Sequence, residues 1–98
     1  MNINYNDYTE RAIGLLKQLI ATPSISRDET LAADIMQDYI DKMGFDTHRE
    51  ANNVWALCHD FEEGKPTLLL NAHIDTVKPA ATWTRDPYRP GIAYDRLY

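Results

Sequence analysis

The sequence predicts an α/β fold, and three observations point to it. Two stretches of helical hydrophobic periodicity fill the first half, the period shifts towards two after Gly44, and a short aliphatic run, Leu68-Leu69-Leu70, follows a loop-forming segment. From residue 5 to about residue 21, Tyr8, Ala12, Leu15, Leu16, Leu19 and Ile20 recur at steps of three and four, with Glu10, Arg11, Lys17 and Gln18 between them. That spacing puts the apolar side chains on one face of a helix. Pro23 disfavours helical geometry at Thr22, and Ser24 and Ser26 compete for local backbone, so the helix is expected to stop there. Ser26-Arg27-Asp28-Glu29 reads as a capping box, with Glu29 reaching back to the Ser26 amide. The second helix then carries Leu31, Ala32, Ile35, Tyr39 and Met43 as its stripe, and Gly44 stands where a left-handed cap needs a residue without a Cβ.

After Gly44, residues 45–49 and 53–58 read as strands separated by a turn over residues 50–53. Residues 60–66, with Glu62, Glu63, Gly64 and Pro66, read as an exposed loop. Residues 67–72 then read as a short central strand covered on both faces. Residues 76–98 hold Pro79, Pro87, Pro90 and Gly91 with little periodicity and read as a long irregular connection.

Composition narrows the function classes. The 98 residues can hold one modest core or part of a larger one, and 44% hydrophobic with 26% charged residues is a globular balance. With 10 Lys and Arg against 15 Asp and Glu, the net charge is −5 and no basic run is present, so a nucleic-acid partner is not expected. The aliphatic run is far shorter than the ~20 residues that span a bilayer, and the first residues carry no basic and apolar leader. No membrane partner is expected, and the expected location is cytoplasmic. The single cysteine, Cys58, permits no internal disulfide.

The chemistry-bearing feature is His73-Ile74-Asp75-Thr76, directly after the aliphatic run. Open α/β sheets place their sites at strand ends. In extended chain His73 and Asp75 project to one side, because side chains alternate with period two. A neutral imidazole can then offer one ring nitrogen to a metal while the other donates to a carboxylate, which fixes the tautomer and raises ligand basicity. Composition alone produces a His-x-Asp triplet in about one chain of this length in ten, so its setting at a strand end has to carry the weight.

The string from Leu68 to Val77, together with Trp83, Asp86-Pro87-Tyr88 and Asp95-Arg96-Leu97-Tyr98, resembles the amino-terminal quarter of the co-catalytic zinc amidohydrolases. That family groups acetylornithine deacetylase, succinyl-diaminopimelate desuccinylase, aminoacylase and glutamate carboxypeptidase. It also opens with an amphipathic helix, a Pro-Ser turn matched by Pro23-Ser24, and a second helix ending in Gly, so the resemblance covers nearly the whole chain. The Trp83 and Asp86-Pro87-Tyr88 segment favours an acetylornithine-deacetylase-like member.

The resemblance implies a mixed-sheet, zinc-exopeptidase-like catalytic domain of which residues 1–98 are the amino-terminal portion, the remainder and a lid or dimerisation domain lying elsewhere. It implies His73 as a metal ligand and Asp75 as the acidic catalytic-centre residue that holds the histidine in orientation. It further implies two zinc ions, with cobalt as a substitute, activating a water against the amide of an N-acyl amino acid, and a homodimeric complete enzyme in amino-acid biosynthesis, arginine biosynthesis for the acetylornithine reading. The family's bridging aspartate, its glutamate pair and its later ligands would follow Tyr98. The chain is therefore expected to be a piece of a longer enzyme, inactive alone, with its Leu68 to Leu70 edge exposed. Dipeptidase, carboxypeptidase or desuccinylase activity, or a non-catalytic interaction module, are the alternatives.

Other residues carry blander readings. His48 and His59 lie eleven residues apart at strand or loop positions and read as surface histidines rather than partners of His73. Cys58 and His59 are neighbours in a strand, point to opposite faces and make no Cys-His pair, so Cys58 reads as a partly buried thiol. Ser24 and Ser26 lack the Gly-x-Ser-x-Gly elbow of a serine hydrolase. Trp83 and Tyr88 read as packing the long loop onto the core, and Asp60, Glu62 and Glu63 as a solvated loop.

Overall fold

The computed structural model describes residues 2–98. Asn4 starts the first helix, its side-chain oxygen accepting from the Asp7 amide at 3.2 Å, as an N-cap residue does. Helix α1 spans Tyr5–Ile20 and ends before Pro23, as its pattern predicts. Its apolar side chains are at most half-buried: Leu15, Leu19 and Ile20 lie on the covered side, whereas Tyr8 and Leu16 are exposed.

Helix α2 spans Thr30–Lys42, so the capping box expected at Ser26 does not form. The reason is a competing partner: the Ser26 amide donates to the Thr76 carbonyl at 3.3 Å, and the Asp28 amide closes a turn on the Ile25 carbonyl at 2.7 Å. Glu29, now the N-cap, accepts from the Arg27 amide at 2.6 Å instead. The covered face of α2 keeps Ala32, Ile35 and Tyr39 of the expected stripe and leaves out Leu31 and Met43. Ala32 and Ala33 are fully buried, while Leu31 is exposed, because the covered face follows the line Ala32, Met36, Ile40. At the other end the expectation holds. Gly44 takes φ +91°, its amide donates to the Asp41 carbonyl at 2.9 Å, and the Phe45 amide donates to the Ile40 carbonyl at 3.4 Å. This is the Schellman arrangement, which needs a residue tolerant of the left-handed region.

Strands β1 (Thr47–Glu50) and β2 (Asn53–Ala56) form an antiparallel hairpin with Thr47 opposite Ala56 and Glu50 opposite Asn53. Their inward side chains, Thr47, Arg49, Val54 and Ala56, alternate with exposed ones, the period-two signature of a sheet with one covered face. A second hairpin, β3 (Ile92–Ala93) and β4 (Arg96–Leu97), turns through Tyr94 and Asp95, both at positive φ. It lies in the segment expected to be irregular throughout.

The expected central strand at residues 67–72 is not paired among the described residues. Leu68, Leu69 and Leu70 are 84%, 79% and 86% exposed, and β1–β2 and β3–β4 remain separate two-stranded antiparallel sheets rather than one mixed sheet. A strand is stabilised by its neighbours. A cleft is lined by residues of both β2 and the 70–75 segment, and no ladder joins the two. The exposed aliphatic edge itself is as expected. The whole surface shows the same openness: 8596 Å², against about 5,700 Å² for a compact monomer of this mass. The Cα radius of gyration, 16.0 Å, likewise exceeds the ~13 Å of a compact chain of this length.

Candidate functional site

One long-range junction positions the His73-x-Asp75 motif. Ile25 and Thr76 form an isolated parallel bridge, in which the Thr76 amide donates to the Ser24 carbonyl at 2.8 Å and the Ser26 amide donates to the Thr76 carbonyl. The turn after α1 thus grips the backbone just past Asp75. Pro23 contributes by standing just past the end of α1, so that Ser24 and Ile25 leave the helix before the chain turns again at Ser26.

His73 and Asp75 lie on one side of this segment, as alternation requires. The imidazole Nδ1 is 3.0 Å from Asp75 Oδ1 and 3.1 Å from the Asp75 carbonyl oxygen. Both partners accept, so Nδ1 carries the proton, and in the neutral ring the lone pair resides on Nε2. The His73 side chain is 86% exposed and the Asp75 side chain 39%, so the ring stands out from the chain while its carboxylate partner is half sheltered. Beside them runs a cleft of about 670 Å³ whose lining includes Glu29, Met36, Ile40, Val54, Asn71 and His73.

The other residues singled out by the sequence lie apart from this pair. His48 is exposed and stacks on Trp55 at 5.7 Å between ring centroids, and His59 is exposed and stacks on Phe45 at 4.6 Å. Cys58 is exposed rather than partly buried, because β2 ends at Ala56 and leaves it beyond the sheet. Trp83 does not pack on a core: it is 52% exposed, whereas Tyr88 is half-buried in a turn in which its amide donates to Asp86 Oδ1 at 3.0 Å. Asp60, Glu62 and Glu63 are exposed in their loop, with Glu62 paired to Lys65 at 2.6 Å. Among the described residues, no group of three or more His, Cys, Asp or Glu could hold a metal ion.

Sequence reasoning missed Ser24 as part of this neighbourhood. It is 3% exposed, and its hydroxyl donates to the Ile74 carbonyl at 2.8 Å. No local signal marks it, because its partner lies fifty residues away.

No family model matches the chain. Known proteins do. Over 90% of its length it is 29% identical to succinyl-diaminopimelate desuccinylase from Erythrobacter litoralis, covering 26% of that enzyme. Over 88% of its length it is 33% identical to acetylornithine deacetylase from Edwardsiella ictaluri, covering 26% of it, and 32% identical to succinyl-diaminopimelate desuccinylase from Burkholderia multivorans, covering 24%. The chain is similar to members of the acetylornithine deacetylase and succinyl-diaminopimelate desuccinylase family. It spans about a quarter of the length of these curated relatives. The relatives' names carry two deacylase activities, desuccinylation of succinyl-diaminopimelate and deacetylation of acetylornithine.

Proposed function

We propose that this chain is the amino-terminal part of a metal-dependent hydrolase that removes the acyl group from an N-acyl amino acid, with acetylornithine and succinyl-diaminopimelate as the substrates to test first. The carrying observation is the His73–Asp75 pair, in which a carboxylate fixes the tautomer that leaves Nε2 free, within a chain similar to two deacylases of this family. We take the complete enzyme to be a cytoplasmic homodimer of amino-acid biosynthesis. No helix among the described residues is long and apolar enough to cross a membrane.

The residues present fit one coordination position rather than a whole site. His73 supplies a single exposed nitrogen lone pair, and the described residues hold no three-donor group around it. A catalytic zinc takes about three protein ligands, so the remaining donors belong to other parts of the enzyme. Zinc, or cobalt in its place, supplies Lewis-acid activation of water and of the amide carbonyl when bound.

The chain's own residues prepare for this. Asp75 keeps the proton at Nδ1, prevents the ring from turning over, and makes Nε2 a stronger donor than an unpaired imidazole would offer. The Thr76 bridge fixes the backbone that carries both side chains. The neighbouring cleft holds apolar Met36, Ile40 and Val54 beside polar Asn71 and Glu29.

Metal analysis and turnover of the 98-residue chain against acetylornithine and succinyl-diaminopimelate test this assignment. The chain alone is expected to hold no tightly bound metal pair and to hydrolyse neither substrate, while the complete enzyme hydrolyses one of them. Two tightly bound zinc ions with turnover by the 98-residue chain would refute the partial site. Hydrolysis of neither substrate by the complete enzyme would refute this choice of substrates.

A further inference from the structure

We propose that Ser24 is a positioning residue for the His73–Asp75 pair, an inference that rests on the role assigned to His73 above. Three hydrogen bonds join residues 68–77 to another part of the chain among the described residues, and all come from Ser24 or Ser26. The Ser24 hydroxyl donates to the Ile74 carbonyl at 2.8 Å, the Ser24 carbonyl accepts from the Thr76 amide at 2.8 Å, and the Ser26 amide donates to the Thr76 carbonyl at 3.3 Å.

The side-chain bond differs from the other two in what it controls. The Ile74 carbonyl belongs to the peptide plane that joins Ile74 to Asp75, and the rotation of that plane decides where Asp75 points relative to His73. The two backbone bonds clamp Thr76, on the far side of Asp75, and leave that plane free to turn. Ser24 is the buried polar side chain that stops it. Without the hydroxyl, the Ile74 carbonyl loses its partner at a half-buried site, and turning outward to water becomes its best recourse. That turn carries the Asp75 carboxylate and its carbonyl away from Nδ1, although Ser24 itself touches neither ring nor metal.

The readout is therefore the tautomer of His73, measured by nitrogen-15 NMR of the imidazole in the 98-residue chain at about pH 8, where an ordinary imidazole is neutral. The parent chain is expected to populate mainly the Nδ1–H tautomer. Ser24→Ala is expected to lower the ratio of Nδ1–H to Nε2–H by about fivefold, the factor one net neutral hydrogen bond is worth, with the amides of α2 and the β1–β2 hairpin undisturbed. Ser24→Thr, which keeps the hydroxyl, restores the ratio.

An unchanged ratio in Ser24→Ala would overturn the inference and leave the His73–Asp75 site standing. A parent chain lacking the Nδ1–H preference would instead remove the site reading, and the inference with it. Ser24→Cys, nearly the same size with a weaker donor, covers the case in which the alanine variant does not fold. Its ratio is expected to lie between parent and Asp75→Ala, and a ratio equal to the parent's would overturn the proposal.

Discussion

On the proposed function, replacing His73 with Ala in the complete enzyme is expected to abolish deacylase turnover and to strip metal from the site, whereas Asp75→Ala is expected to leave a weakened enzyme. The order follows from what each atom does. His73 offers the lone pair itself, through Nε2 on a side chain that stands 86% exposed. Asp75 acts through the ring, accepting from Nδ1 at 3.0 Å, and loss of such a partner costs ~10- to 100-fold in metal affinity or activity. The histidine variant should fall well beyond that range. Steady-state kinetics with metal analysis of both variants checks the ranking. Parent-level zinc and turnover in His73→Ala would remove the metal-ligand assignment, and equal losses in the two would remove the distinction between ligand and holder.

The second large effect is on stability, at Arg49. Little apolar area is buried in this chain, so a half-buried guanidinium with five partners carries unusual weight. From the inward face of β1, Arg49 pairs with Asp34 and reaches Gln37 on α2, the Thr30 carbonyl at the start of that helix, and the Ala51 carbonyl and Asn52 side chain of the hairpin turn. Asn52 passes the link to Glu29 at 3.3 Å, and Glu29 to the Arg27 amide. One side chain thereby fixes the hairpin to the first turns of α2.

Arg49→Ala is expected to lower unfolding free energy by about 2 kcal/mol, the scale of hydrogen bonds to a charged group whose partners are then left unpaired. Arg49→Lys should recover less than half, because a point charge cannot span the fork of acceptors. Asp34→Ala should cost under ~1 kcal/mol, since that carboxylate is 55% exposed and well solvated without its partner. Urea denaturation of the three variants checks this, and an Arg49→Ala loss below ~0.5 kcal/mol would show the network to be incidental.

Legibility in the sequence tracks how local the decisive contact is. Both helices and the first hairpin can be read because their signals, the apolar steps of α1, Gly44 at a left-handed cap and the alternation through Thr47 and Val54, lie within a few residues of what they specify. The β3–β4 hairpin escapes because Tyr94-Asp95 occupies positive φ without the Asn-Gly or Asp-Gly sequence that usually announces such a turn. Residues 67–72 have the composition of a buried strand, yet composition specifies only a preference; pairing requires a neighbour, and no ladder joins this segment to β2. The start of α2 is misplaced for a related reason: the amide that the capping box at Ser26 would use is claimed by Thr76.

The site divides along the same line. The pairing of His73 with Asp75 follows from a two-residue spacing and is visible in the bare string. The burial of Ser24 and the bridge from Ile25 to Thr76 join segments fifty residues apart, and the Pro23-Ser24 turn, though part of the family resemblance, gives no sign of that distant partner.

The most direct test is a zinc-edge anomalous map of the intact polypeptide. A zinc ion about 2.0 to 2.1 Å from His73 Nε2, with Nδ1 still on Asp75, is the expected result. A His73 ring turned into bulk solvent with zinc bound elsewhere, or zinc held through Nδ1 with Asp75 displaced, would contradict it.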